Sequence, residues 1–191
     1  MNLLKIFVVT FALMIVPCQS FAEMPEITAG ETYFDVMKGH YVLKDNVHVV
    51  INNKGFKSTV TANEARVNVI AQRCWAFGNV KFSHENYNLK CDEAYMNWQA
   101  HKAQLVGKID FEGKQSVFIK SKTATFDWDS KEADFYGDVK VVAKKNLLIA
   151  DGLKIENGNY AHVRYNVVEN KILQLDKTFD IPKITIPDPD K

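Results

Sequence analysis

The residues of this chain that could do chemistry are five histidines, two cysteines beyond the N-terminal segment and one close pair of carboxylates. His40, His48, His84, His101 and His162 would ligate a metal or move protons if they were grouped. None stands at the i, i+4 spacing that places two imidazoles on one zinc ion, so neither a metal nor another cofactor is expected. Asp127 and Asp129 flank Trp128. On a strand they would share a face about 6 to 7 Å apart, a separation that can hydrolyse glycosides. They lead straight into Ser130 and Lys131, so they are expected to be solvated turn acids. The chain has no G-x-S-x-G elbow and no phosphate loop. Covalent catalysis is therefore not expected, and the function must lie in binding or structure.

Cys74 and Cys91 raise the question of a disulfide, because the N-terminus directs export. Met1 to Lys5 carries one positive charge, Ile6 to Val16 is apolar except for Thr10, and Pro17 ends the run. Ser20-Phe21-Ala22 then offers the small residues that a signal peptidase reads. Residues 1–22 are expected to be a signal peptide cleaved after Ala22. The apolar run is short for a span of about 20 residues. An uncleaved anchor over Leu3 to Ala22 is the alternative, and Pro17 argues against Cys18 as a lipid acceptor.

The body is one motif written several times. Gly78-Asn79-Val80-Lys81-Phe82 returns as Gly107-Lys108-Ile109-Asp110-Phe111 and as Gly137-Asp138-Val139-Lys140-Val141. A fainter copy, Asp45-Asn46-Val47-His48-Val49, puts the intervals at 33, 29 and 30 residues. A second mark recurs in phase: Ala62-Asn63-Glu64-Ala65, Cys91-Asp92-Glu93-Ala94 and Ser121-Lys122-Thr123-Ala124, with Ala29 and Ala150 at corresponding places. Two marks in phase define a repeated unit.

Each unit reads as strand. Cys74, Ala76, Gly78, Val80 and Phe82 alternate with polar neighbours, and so do Ala103 to Phe111 and Ala133 to Val141. A recurring mid-strand Gly marks a bend or a close backbone approach. The other strand of each unit changes phase. Leu89 and Cys91 share one parity, while Ala94, Met96 and Trp98 share the other. Such a switch needs a bulge or corner. Polar turns separate the strands, and no amphipathic helix follows residue 22. The expectation is an all-β domain over residues 23–180: a mostly antiparallel jelly-roll or open sandwich of about five two-strand repeats, followed by a Pro/Asp-rich tail at 181–191. A parallel β-helix is the alternative fold. In this frame both cysteines fill small-residue positions. Cys91 would lie opposite about Lys81, with Cys74 roughly 23 Å further along, too far for a bridge.

Length and charge agree. A chain of 191 residues with 47% hydrophobic and 12% aromatic content predicts one domain, two at most, with an ample core. A formal net charge of +1 argues against general affinity for nucleic acid.

The pattern resembles the OstA-like (organic solvent tolerance) family. The resemblance rests on Ile27-Thr28-Ala29-Gly30, Val42 to Val49, Val60 to Ala65 and the later Gly-x-Val and Ala-x-x-Ala marks, from about Glu26 to Glu156. It departs at Asp45, where Gly is usual, and at the tail. The resemblance implies a periplasmic, non-enzymatic, twisted β-jellyroll whose apolar interior holds the acyl chains of lipopolysaccharide. It also implies head-to-tail joining of copies, and contact with inner- and outer-membrane components of related fold. The groove residues would then be the inward set Val47, Val49, Val60, Val80, Phe82, Leu89, Ile109, Phe111, Ile119, Val139, Val141 and Leu148. Lys81, Lys108 and Lys140 would point outward. Two rivals remain: an inner-membrane-anchored partner of the same pathway, and a structural or polysaccharide-binding β-solenoid with a sealed core.

Overall fold

The computed structural model describes residues 26–53, 56–85, 87–114, 117–143, 148–156 and 158–190. The expected signal peptide lies outside these residues. The described chain forms β1 (Glu26–Thr28), β2 (Glu31–Asp35), β3 (His40–Asn53), β4 (Phe56–Asn68), β5 (Arg73–His84), β6 (Tyr87–Asn97), β7 (Lys102–Gly113), β8 (Val117–Asp127), β9 (Glu132–Ala143), β10 (Leu148–Ile149), β11 (Tyr160–Asn166) and β12 (Lys171–Asp176). All twelve belong to one open sheet, in the order β1-β3-β4-β5-β6-β7-β8-β9-β11-β12-β10, with β2 beside β3. Every pairing but one is antiparallel, as the repeated hairpins predict, and this excludes a parallel β-helix. The exception is β10, whose two residues pair parallel with β12. The unit marked by Ala150 is therefore no copy of the others: Ala150 N–H donates to the Ile172 carbonyl across that junction.

Every long strand bends at its middle. Between β5 and β6 the register slips between the Phe77↔Glu93 and Val80↔Cys91 pairs, so that Gly78 and Asn79 together face Asp92. The same slip recurs at Lys44/Val47, Val106/Ile109 and Lys120/Thr123. One extra residue on the odd strand makes a bulge and turns the strand. Both bulged residues take left-handed angles, +77° at Gly107 and +42° at Lys108. A Cβ on Gly107 would lie 2.4 Å from Asp92 Oδ2 and 2.8 Å from Asp92 Cβ. The two marks in the sequence are thus the two sides of one corner: the Gly-x pair makes the bulge, and the polar residue after the small one seats against it. The departure at Asp45 has the same logic reversed. Gly30 stands opposite, its missing Cβ leaves room for Asp45, and its N–H donates to the Asp45 carbonyl at 2.8 Å.

The corners divide the sheet into two arms. Arm A holds the stretches before the odd-strand corners, together with β11 and β12. Arm B holds the stretches after them. The inner faces meet: Phe111 of arm B lies 5.3 Å, centroid to centroid, from both Phe135 and Tyr165 of arm A. Ala62, Ala65, Cys91, Ala94, Ser121 and Ala124 are buried around the corners, where small side chains let the arms approach. Cys74 and Cys91 are free, buried thiols. Cys91 faces Val80 rather than Lys81, because the register set by the hairpin at His84↔Tyr87 runs unbroken to this pair and slips only beyond it.

The last strand in the chain ends at Asp176. The chain then turns back over the outside of arm A. Phe179 stacks on His162 of β11 at 4.3 Å, Pro187 accepts a hydrogen bond from Trp75 Nε1 of β5 at 2.8 Å, and Asp190 pairs with Lys38 and Arg66. Eight residues span about 26 Å extended, enough for the roughly 24 Å of five strand spacings from β11 to β5. The tail is a strap laid across the strands.

Candidate functional site

Between the arms lies an apolar cleft. Arm B lines it with Val60, Val80, Phe82, Tyr87, Leu89 and Phe111. Arm A contributes Ala94, Met96, Ala103, Leu105, Ala124, Thr125, Phe126, Trp128, Ala133, Phe135 and Val167. Thr125 is the sole side chain in that lining with a hydroxyl away from an aromatic ring. The residues face each other because the corners turn period-two apolar faces inward on both arms.

The cleft is graded along the stack. At the β7–β12 end it is shut. Ile109, Phe111, Val117, Ile119, Phe135, Val139, Val163, Tyr165 and Ile172 are at most 2% exposed. Tyr165 reaches from arm A to the tip of arm B, where a Cβ on Gly113 would meet its hydroxyl at 2.6 Å. That hydroxyl donates to Asn170 Oδ1. Leu153 and Ile155 pack against the same end. Toward β4–β6, Phe82, Leu89, Met96 and Leu105 are only half-buried. A run of rings, Phe82–Tyr87 at 5.6 Å and Tyr87–Phe111 at 5.9 Å, leads from the open end to the shut one. Burial pushes the Tyr87 hydroxyl up to about 12 and the Cys91 thiol to about 12, so both stay neutral in ordinary buffers.

The cleft is also narrow, with a cavity volume of about 70 Å³. Sites that enclose a ligand usually offer about 300 Å³ or more. The arms rest nearly closed on each other.

Of the residues expected in a groove, Val60, Val80, Phe82, Leu89 and Phe111 line this cleft. Ile109, Ile119 and Val139 lie in the shut core. Val141 packs on that core, half-buried. Val47 and Val49 belong to a separate cluster with Leu43 and Ala65. The Leu148 side chain lies outside the described residues. The expected set came from one arm alone, apart from Leu148. The facing wall on arm A was marked by the second parity of the phase-switching strands, Ala94 and Met96 or Ala124 and Phe126.

The histidines and acids of the sequence take other places. Asp127 caps its turn, accepting from the N–H groups of Asp129 at 2.8 Å and Ser130 at 3.2 Å. Those bonds hold its carboxyl below the usual range. Asp129 meets His101 at the surface. His162 is fully buried between two carboxylates, a grouping that the sequence spacing does not show. Among the described residues no cluster of His, Cys, Asp and Glu has the geometry of a metal site.

Comparison with known proteins follows this geometry. The model of the OstA-like protein family matches residues 57–167. No curated protein sequence matches the chain. Among solved structures, the fold is similar to LptH of Pseudomonas aeruginosa, the LptA-homologous periplasmic component of a lipopolysaccharide transport device. The TM-score is 0.55 at 9% sequence identity, over 64% of this chain and 96% of that one.

Proposed function

This chain belongs to the OstA-like protein family, and on that premise we propose that it carries lipopolysaccharide across the periplasm without covalent chemistry. The observation that supports this reading is the apolar cleft, open toward β4–β6 and shut by Tyr165 at the other end. Acyl chains would enter between Phe82 and Leu105 and lie along the rings toward Phe111, while the sugar and phosphate groups stay outside. Each buried methylene contributes about 0.8 kcal/mol. Parting the arms exposes apolar surface and offsets some of that gain. A cleft that rests closed therefore binds with modest net affinity, which a carrier needs in order to release its cargo.

The reading extends to assembly. At the first edge, Ile27, Tyr33 and Phe34 are between 41% and 51% exposed. An apolar sheet edge is a template for another strand. Copies joined from the β10–β12 edge of one to β1–β2 of the next would make a heterologous, non-closing contact and so a filament. That filament would bridge inner- and outer-membrane components of related fold, and the N-terminal segment would supply export to the periplasm.

The test is photocrosslinking to purified lipopolysaccharide with a photoreactive residue at Phe82 or at Leu105. The exposed Lys81 serves as the outward control. Labelling at 82 and 105 but not at 81 is expected. Silence at both inner positions, in protein that unfolds cooperatively, would make the interior a sealed core and the domain a structural one.

A further inference from the structure

The outside of arm A carries side chains that a solvated sheet face does not need. Trp75 and Tyr95 point away from the core residue Ala76 and the cleft-facing Ala94 and Met96, yet they are 4% and 8% exposed. Their rings pack at 5.3 Å, and the C-terminal strap passes over them with Pro187 bonded to Trp75. At the other end of the strap, His162, Tyr136 and Phe179 form a cluster of three rings: His162 lies 5.0 Å from Tyr136 and 4.3 Å from Phe179, which are 5.9 Å apart. Its Nδ1 lies 2.8 Å from Asp176 Oδ2 and its Nε2 lies 2.7 Å from Asp134 Oδ1.

We propose that the C-terminal segment is a pH-sensitive latch: it is clamped across arm A while His162 is an imidazolium, and it lets go when His162 loses a proton. A neutral imidazole donates through one nitrogen only. Both ring nitrogens here face carboxylate oxygens, so both contacts are hydrogen bonds only in the cation. The charge also strengthens the stacking of Phe179 on the ring. The groups facing His162 are Asp134 and Tyr136 on β9, Arg164 on its own strand, Asp176 on β12 and Phe179 of the strap. Arg164 Nε shares Asp134 Oδ1 at 2.8 Å, and Gln174 donates to Asp176 Oδ2 at 2.9 Å. Neither restores the bond that His162 gives up on neutralisation. Burial alone would lower the His162 pKa, but the bonds to Asp134 and Asp176 outweigh it and raise the value above 6.5. The sign follows: the clamp is complete below 6.5 and is lost as pH rises through the raised value. Release begins at Phe179, because the Pro187 and Asp190 contacts at the far end do not involve His162, and it does not depend on whether the cleft carries lipid.

A spin label at Lys183→Cys reads the strap, since Cys74 and Cys91 are buried. The ratio of mobile to immobile label is expected to rise roughly tenfold in all as pH passes through the His162 titration point followed by NMR, then level off. His162→Gln should abolish that dependence, and Phe179→Ala should leave the label mobile at every pH. An immobile label throughout in the native sequence, or the same curve in His162→Gln, would overturn the latch. Near-UV circular dichroism confirms that each variant is folded.

Discussion

Replacing Phe111 by Ala is expected to cost about 3–5 kcal/mol of stability, measured by urea unfolding. Phe111 is 1% exposed and touches Phe135, Tyr165 and Tyr87, rings from three other strands on both arms. The shut end cannot collapse onto the space because Tyr165 is tied to Asn170 and Gly113 is already in contact. The matching change at the open end, Phe82→Ala, should cost only about 1–2 kcal/mol, because that ring is half-buried and leaves no enclosed hole. Equal losses at the two positions would mean that the cleft is sealed along its whole length. The carrier reading would then lose its main support.

Replacing Gly107 by Ala is expected to cost about 3 kcal/mol, more than most surface substitutions. At +77° a side chain adds roughly 1–2 kcal/mol of backbone strain. The new Cβ would also sit inside the contact distance of Asp92, on both its carboxylate and its Cβ. Gly39→Ala separates the two terms. It has a similar angle, +68°, with nothing within 4 Å, so only the strain of about 1–2 kcal/mol should appear. Adding Asp92→Gly to Gly107→Ala should recover the steric part and leave the backbone part. Chemical unfolding of the four proteins reads both. If Gly39→Ala costs as much as Gly107→Ala, the corner is not held by the seating of Asp92 against Gly107.

These corners were the most legible part of the protein. Gly78, Gly107 and Gly137 recur in phase with Asn63, Asp92 and Lys122, and the parity switch from Cys91 to Ala94 already requires a bend. A bulge is a local event, so its two sides leave residues at fixed spacing. The turn role of Asp127 was legible for the same reason. The two-sided cleft was half-legible. The apolar positions of both arms stood in the pattern, but period two says only that a face is apolar. Which faces meet depends on how far each corner closes.

The sequence by itself determined the strands, their hairpin order, the bends and the smallness of the residues around them, because each follows from neighbours within one unit. Tertiary structure alone decided the rest. It shut one end of the cleft with Tyr165, some fifty residues from the Gly113 it meets. It carried Pro187 to Trp75 and Asp190 to Lys38, and it set His162 between Asp134 and Asp176. Those contacts join positions up to 152 residues apart. No spacing rule links them. They exist because one bent sheet brings distant strands side by side and leaves its outer face for the end of the chain to cover.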